Sequence, residues 1–197
     1  MNEIIFNILK NLNEFINTNY LYSVCIYFII SIFFFALSLP GGMIVLISSG
    51  FFFGIVIGFI INILSISLGS LIFVIFSRTL FRGLFNKYYK KFSHKLSNYI
   101  KDSSYEYLIL IRLIIGPPLI FQNICISLLN ISKIKILITS LIGFTPTMLL
   151  FSYLGSHFSN IIELKSFTIT DIFTPEILII FGLIILFIFF RIFFKKY

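Results

Sequence analysis

The chain has 197 residues, 59% of them apolar and only 11% charged, with 27 phenylalanines and a net charge of +8. An ordinary soluble domain carries roughly a quarter charged residues, so there is too little polar surface here to coat a globule in water. A soluble enzyme or binding module is excluded, and the distribution of the cations matters more than their sum.

Residues 2–17 set Ile5, Leu9, Leu12 and Ile16 at helical spacing opposite Glu3, Asn7, Lys10 and Asn11. This predicts an amphipathic N-terminal helix (1–19) on the membrane surface, or else the frayed start of the first span. The stretch from Phe15 to Ser77 contains no Asp, Glu, Lys or Arg over 63 residues, whereas one bilayer crossing takes roughly 20. Several spans are required. The first runs from about Tyr20 to Leu39. It is span-length and continues into further apolar sequence, which argues against a cleavable signal. It ends at Pro40, Gly41 and Gly42, where proline removes a helix donor and glycine releases the backbone.

The 37 uncharged residues from Gly41 to Ser77 would make roughly 55 Å of continuous helix against a hydrocarbon core of roughly 30 Å. They form either two full spans or a re-entrant hairpin (about 41–53) followed by one span (about 54–77). Seven of the 15 cations then fall between Arg78 and Lys101. A basic segment between two hydrophobic blocks, with Tyr88, Tyr89, Phe92 and Tyr99 among its lysines, fits the anionic inner leaflet better than nucleic acid.

The second half repeats this plan. Leu108 to Asn130 is apolar but holds Arg112 and the Gly116-Pro117-Pro118 run; a span follows at about 134–154, then a polar loop and a last span at about 177–194. If 108–130 crossed the bilayer, Lys133, Lys135, Arg191, Lys195 and Lys196 would lie outside and the acids Glu163, Asp171 and Glu176 inside, the reverse of the positive-inside bias. A segment that dips in and returns restores the bias, so 108–130 is read as re-entrant. Extending the hairpin to the first half by analogy gives an inverted repeat with both termini cytoplasmic. The expected fold is all-α: a single polytopic membrane domain (20–197) with about four full transmembrane helices and two oppositely oriented re-entrant hairpins.

Arg112 is the strongest single signal, because a cation at membrane depth costs at least roughly 2.5 kcal/mol on insertion scales and needs a partner or a wet cavity. Two readings stand side by side: an anchor for an anionic head group, or an arginine snorkelling at the interface or bonded to hairpin carbonyls. Gln122 and Asn123 offer amide groups where hydrocarbon satisfies none, so they line a cavity or lock the hairpin turn. Gly54, Gly58, Asn62, Ser65 and Gly69 share one helix face, suited to close packing and alternatively to a translocation groove. Thr139, Gly143, Thr147 and Gly155, with a kink at Pro146, make a second such face. Cys25 and Cys125 read as packing residues, and His94 and His157 as solvated side chains. No catalytic set, metal spacing or cofactor motif is present, so an enzyme is not expected.

Taken together these residues resemble the VTT domain of the SNARE-associated Golgi protein family, within the DedA superfamily. The first half matches in Pro40, Gly50, Phe53, Gly54, Gly58, Gly69 and Arg78, and the second in Arg112, Pro118, Asn123, Thr139, Gly143, Pro146 and Gly155, over about residues 40–158. The resemblance implies two facing re-entrant hairpins and translocation of lipids or lipid carriers. Arg112, Pro118, Gln122 and Asn123 become candidate substrate-binding residues, with Pro40, Gly41, Gly42, Gly54, Gly58, Gly69, Pro117, Gly143 and Pro146 as hinge or packing positions. Ile115 stands where the family often has a first proline, and Ser127 where it usually has glycine. The membrane acids of proton-coupled members have no counterpart here, which favours passive flipping or an uncoupled carrier.

The expected function is a lipid translocase or scramblase in a cell membrane, a bacterial inner membrane suiting the size. Its partners would be membrane lipids, with 78–101 on the anionic inner leaflet and a homo-oligomer as an option. The alternatives are a small-solute transporter or channel, and a non-transporting scaffold that recruits partners through the basic loop.

Overall fold

The structure is a computed structural model, and it describes residues 15–16, 18–84, 105–113, 118–129 and 131–163. Most of the expected N-terminal helix, nearly all of the basic segment, Pro117 and the last span lie outside these residues. The chain falls into two compact units, Met1–Ser156 and His157–Tyr197, and the packing below belongs to the first. Among the described residues there are five helices and no strand: α1 (Tyr20–Ala36), α2 (Gly42–Leu84), α3 (Tyr105–Leu113), α4 (Leu119–Leu128) and α5 (Lys133–Glu163).

α1 stops where Ser38 and Gly41 take positive φ values of 49° and 88° on either side of Pro40. α2 is broken once, at Gly54, with φ 76° and ψ 179°, a conformation open in practice only to glycine. As a straight helix the sixteen steps from Leu46 to Asn62 would span about 24 Å. Instead Asn62 Nδ2 donates to the Leu46 carbonyl at 2.9 Å, and Ser49 Oγ lies 3.5 Å from the Gly58 carbonyl. The chain therefore reverses at Gly54 into a short arm (residues 42–53) and a long arm (residues 55–84). The two arms meet backbone to backbone because neither Gly50 nor Gly58 has a side chain: a Cβ on Gly58 would sit 2.9 Å from the Gly50 Cα.

α1 lies beside both arms. Tyr20 and Tyr27 set their rings edge-on to Phe53, and Tyr27 Oη donates to the Val45 carbonyl at 2.6 Å. At its other end α1 presses on Gly69, where a Cβ would fall 2.6 Å from that of Phe35. Thus α1 begins at the Gly54 end and finishes level with Gly69, and the short arm leads back. The expected fold-back inside 41–53 is instead one unbroken helix, and the tip of the first hairpin is the Leu37–Gly41 turn between α1 and α2. The reversal moves because Pro40 and Gly41 sit before the short arm and Gly54 after it. With Tyr20 at the end opposite Arg78, a cytoplasmic amino terminus does not follow from α1.

The second half enters from the other end. Lys135 Nζ stands 4.5 Å over the Tyr105 ring, and Leu108 of α3 is buried with Val74, Ile126, Leu129, Ile131 and Ile136. Both the start of α3 and the end of α4 therefore lie beside the start of α5, and Lys133 and Lys135 share an end with Arg78. At the opposite end Gly50 and Gly155 let α5 meet the short arm through main-chain atoms of Ser152, Ile47 and Phe51.

The outer surface carries large apolar side chains, among them Ile30, Phe33, Ile44, Val56, Phe76, Phe121 and Ile134. Among the described residues the interior is not predominantly apolar: sixteen polar or charged side chains are buried against fifteen hydrophobic ones. Water would not sustain that distribution, whereas lipid does, since small polar residues at helix contacts permit close approach. Cys25 and Cys125, expected to pack inside, are on the exposed face; in an apolar solvent they need no shelter.

Candidate functional site

The two halves meet at the turn between α1 and α2. Asn123, one turn into α4, donates from Nδ2 to Ser38 Oγ of the first tip at 3.1 Å. Its Oδ1 accepts from Arg112 Nη1 at 2.7 Å, so one amide joins a cation of the second half to a hydroxyl of the first. Ser38 Oγ lies in turn 3.4 Å from the Phe35 carbonyl at the end of α1.

Arg112 is 1% exposed although it carries a charge. Its guanidinium stands 4.8 Å from the centroid of the Phe144 ring, a cation–π contact that strengthens when water is absent. Gly143 makes room for it: a Cβ there would lie 2.5 Å from the Cβ of Arg112. The snorkelling reading fails on this burial, and the partner is an amide side chain in place of hairpin carbonyls. Arg112 Nε and Nη2 have no hydrogen-bond partner among the described residues. These two N–H groups point along one side of the guanidinium plane, the edge that grips an oxyanion with two parallel bonds. Along α5 the contact at Gly143 is about 15 Å from Lys133 and about 18 Å from Gly155, close to the middle of that stretch.

The other expected site residues take supporting positions. Gln122 is buried on the adjoining face of α4. Pro118 is exposed and acts as the N-cap of α4, so it starts the helix that carries Asn123 without lining the Arg112 cluster. Pro40 and Gly41 are exposed at the first tip, while Gly42 abuts Phe35. Gly58 and Gly69 serve close packing, the plainer of the two readings of their face. Asn62 bridges the Leu46 carbonyl and Ser152 Oγ of α5 at 3.0 Å. Pro146 lies inside α5, one turn beyond Gly143.

Two residues were not singled out for their roles from sequence. Ser38 is one of many serines, and only the break at Pro40 marks its neighbourhood. Arg78 counted as the first cation of a basic loop. Its Nε, Nη1 and Nη2 in fact reach the carbonyls of Ser127, Ile131 and Leu129 at 3.3, 2.9 and 2.6 Å. Ser127 is in the last turn of α4, Leu129 is its C-cap and Ile131 lies two residues further on, so the fork sits at the negative end of that helix's dipole, where the last helical carbonyls lack intrahelical donors. Among the described residues no group of His, Cys, Asp and Glu has metal-binding geometry.

Among the described residues two helices, Gly42–Leu80 with its bend and Lys133–His157, are long and apolar enough to cross a bilayer. With a polar interior inside an apolar shell, they define a helical membrane protein. The model of the VTT domain matches residues 39–157, more than half of the chain, and the protein belongs to the VTT domain family. No curated protein and no solved structure matches it.

Proposed function

We propose that this protein is a membrane transporter that carries the head group of a phospholipid or lipid carrier between leaflets. In this reading α1 with the short arm of α2, and α3 with α4, are re-entrant hairpins that dip from opposite faces. The long arm of α2 and α5 cross fully, and the Arg78, Lys133 and Lys135 end faces the anionic cytoplasmic leaflet. One observation carries the proposal: a fully buried guanidinium held on one nitrogen, with its side-on N–H pair unpartnered, where two broken helices meet. Within lipid such a cation is costly, and an anionic head group would satisfy it. The apolar tails would travel along the exterior of the bundle while the polar end passes the tips.

The acids of the described residues, Glu106 and Glu163, sit at the outer ends of α3 and α5 and none lies beside Arg112, which supports movement down a gradient without proton coupling. The test is transfer of fluorescent anionic phospholipid between leaflets of liposomes holding the purified protein. Equilibration well above that of empty liposomes is expected, and no transfer with any anionic or zwitterionic lipid would overturn the reading.

A further inference from the structure

We propose that the Ser38–Asn123 hydrogen bond is the gate of this protein, that the structure is its closed state, and that the hairpin tips part at this bond when the Arg112 site opens. The proposal deepens the translocase reading and rests on it for the role of the site.

Three observations bear on it. First, Arg112, Asn123 and Ser38 are all buried, so the free Nε–Nη2 edge of Arg112 cannot meet a ligand until something moves. Second, the polar link between the hairpins is narrow. Asn123 Nδ2 to Ser38 Oγ, at 3.1 Å, joins them directly, beside an apolar cluster that holds Phe35, Leu46, Leu119 and Phe144, non-directional packing that can slide where a hydrogen bond must break. The Arg112–Asn123 bond, by contrast, stays within the second half and can persist as the tips separate. Third, the closed arrangement holds a cost that opening relieves: Arg112 keeps two charged N–H groups unmet, which water or an oxyanion would satisfy on opening. The contacts that hold the hairpins elsewhere are of another kind. Gly50 and Gly155 bring backbone against backbone, and Arg78 holds three carbonyls, so the tips can part while the outer ends stay fixed.

The experiment uses the full chain with Cys25→Ser and Cys125→Ser, reconstituted in liposomes. The pair Ser38→Cys with Asn123→Cys is joined by a short bifunctional thiol reagent that reductant cleaves. A gate requires that joining reduce lipid transfer at least tenfold below that of the same double-cysteine protein left unjoined and that reductant restore it, while the reagent leaves each single-cysteine protein at its own untreated rate, whatever that rate is. Undiminished transfer by the joined protein would overturn the gate and leave the translocase reading standing. If no version transfers lipid, the translocase reading fails, and the gate is decided by reactivity alone. The Ser38→Cys thiol should then react with a water-soluble reagent, several-fold faster when Asn123→Ala is added, while a Ser49→Cys thiol, buried in the short arm of the first hairpin, stays slow and is unchanged by Asn123→Ala. Equal sluggishness at both positions, unchanged by Asn123→Ala, would mean a static plug and would overturn the gate.

Discussion

Arg78 on the long arm of α2 donates from Nη2 to the Leu129 carbonyl at 2.6 Å, and this contact fastens the end of α4 to the long arm of α2. A helix that ends inside a membrane protein leaves carbonyls that neither water nor lipid can satisfy. α4 has only ten residues, so its unpaired end is a large fraction of it. Arg78 supplies the missing donors from another element, in the fork geometry that lysine lacks.

Arg78→Ala is therefore expected to destabilise the fold by about 2–4 kcal/mol, given ~1.5–3 kcal/mol for a hydrogen bond to a charged group and partial relaxation of the rest. Arg78→Lys should recover less than half. Thermal unfolding in a fixed detergent measures both, and a Lys variant as stable as the parent would remove the fork argument.

Gly54 holds its bend at φ 76° and ψ 179°. Gly54→Ala should cost about 1–3 kcal/mol from backbone strain alone, since nothing lies within 4 Å of the added Cβ. Gly58→Ala tests the other mechanism, because its Cβ would meet the Gly50 backbone at 2.9 Å, where overpacking costs about 1–3 kcal/mol. The two effects should be nearly additive in unfolding measurements only if the hairpin stays closed in each variant.

Gly143→Ala is aimed at the site. The new Cβ would stand 2.5 Å from the Arg112 Cβ and 3.0 Å from the Ile109 carbonyl. Arg112 would be pushed off Phe144 and Asn123, so lipid transfer should fall by about tenfold or more, equivalent to ~1.4 kcal/mol, with a smaller fractional loss of stability. Parallel measurement of transfer and unfolding separates the two.

The placement of the ends is checked by cysteine labelling in whole cells after Cys25→Ser and Cys125→Ser. Thiols introduced as Thr79→Cys and Lys133→Cys should be protected from an impermeant reagent added outside. A thiol introduced as Gly41→Cys, at the tip of the first hairpin, should be slow from either face. Free external reaction of the Lys133→Cys thiol would mean that 105–131 crosses the bilayer.

Much of this arrangement was legible in the sequence, because lipid makes charge placement informative. The bias of Lys133 and Lys135 toward the Arg78 side required 108–130 to turn back, and the structure puts both its ends beside α5. Arg112 and Asn123 stood out because polar groups in an apolar run need partners. Composition also foretold the helical class and the break at Pro40. Gly54 was read as a packing position on a helix face, and the structure makes it the bend instead, with open space where its Cβ would be. A lone glycine in an apolar run is a weak local signal, and only the contacts of Tyr27 with Val45 and of Asn62 with Leu46 assign Pro40 and Gly41 to the tip and Gly54 to the outer turn. Ser38 was invisible for a related reason: a serine's role depends on what lies across from it, and its partner is 85 positions away. Arg78 was masked by its basic neighbours, which share its charge but not its contacts.

The claim that the unpartnered edge of Arg112 receives the head group stands or falls on anionic-lipid transfer in liposomes with Arg112→Lys and Arg112→Gln. Lysine keeps the charge without the paired N–H groups, and glutamine keeps a polar side chain without the charge. Both should transfer at least about tenfold more slowly than the parent, a loss of ~1.4 kcal/mol or more, while the folded protein still elutes as one species. Parental rates in a well-folded Arg112→Gln protein would contradict the claim.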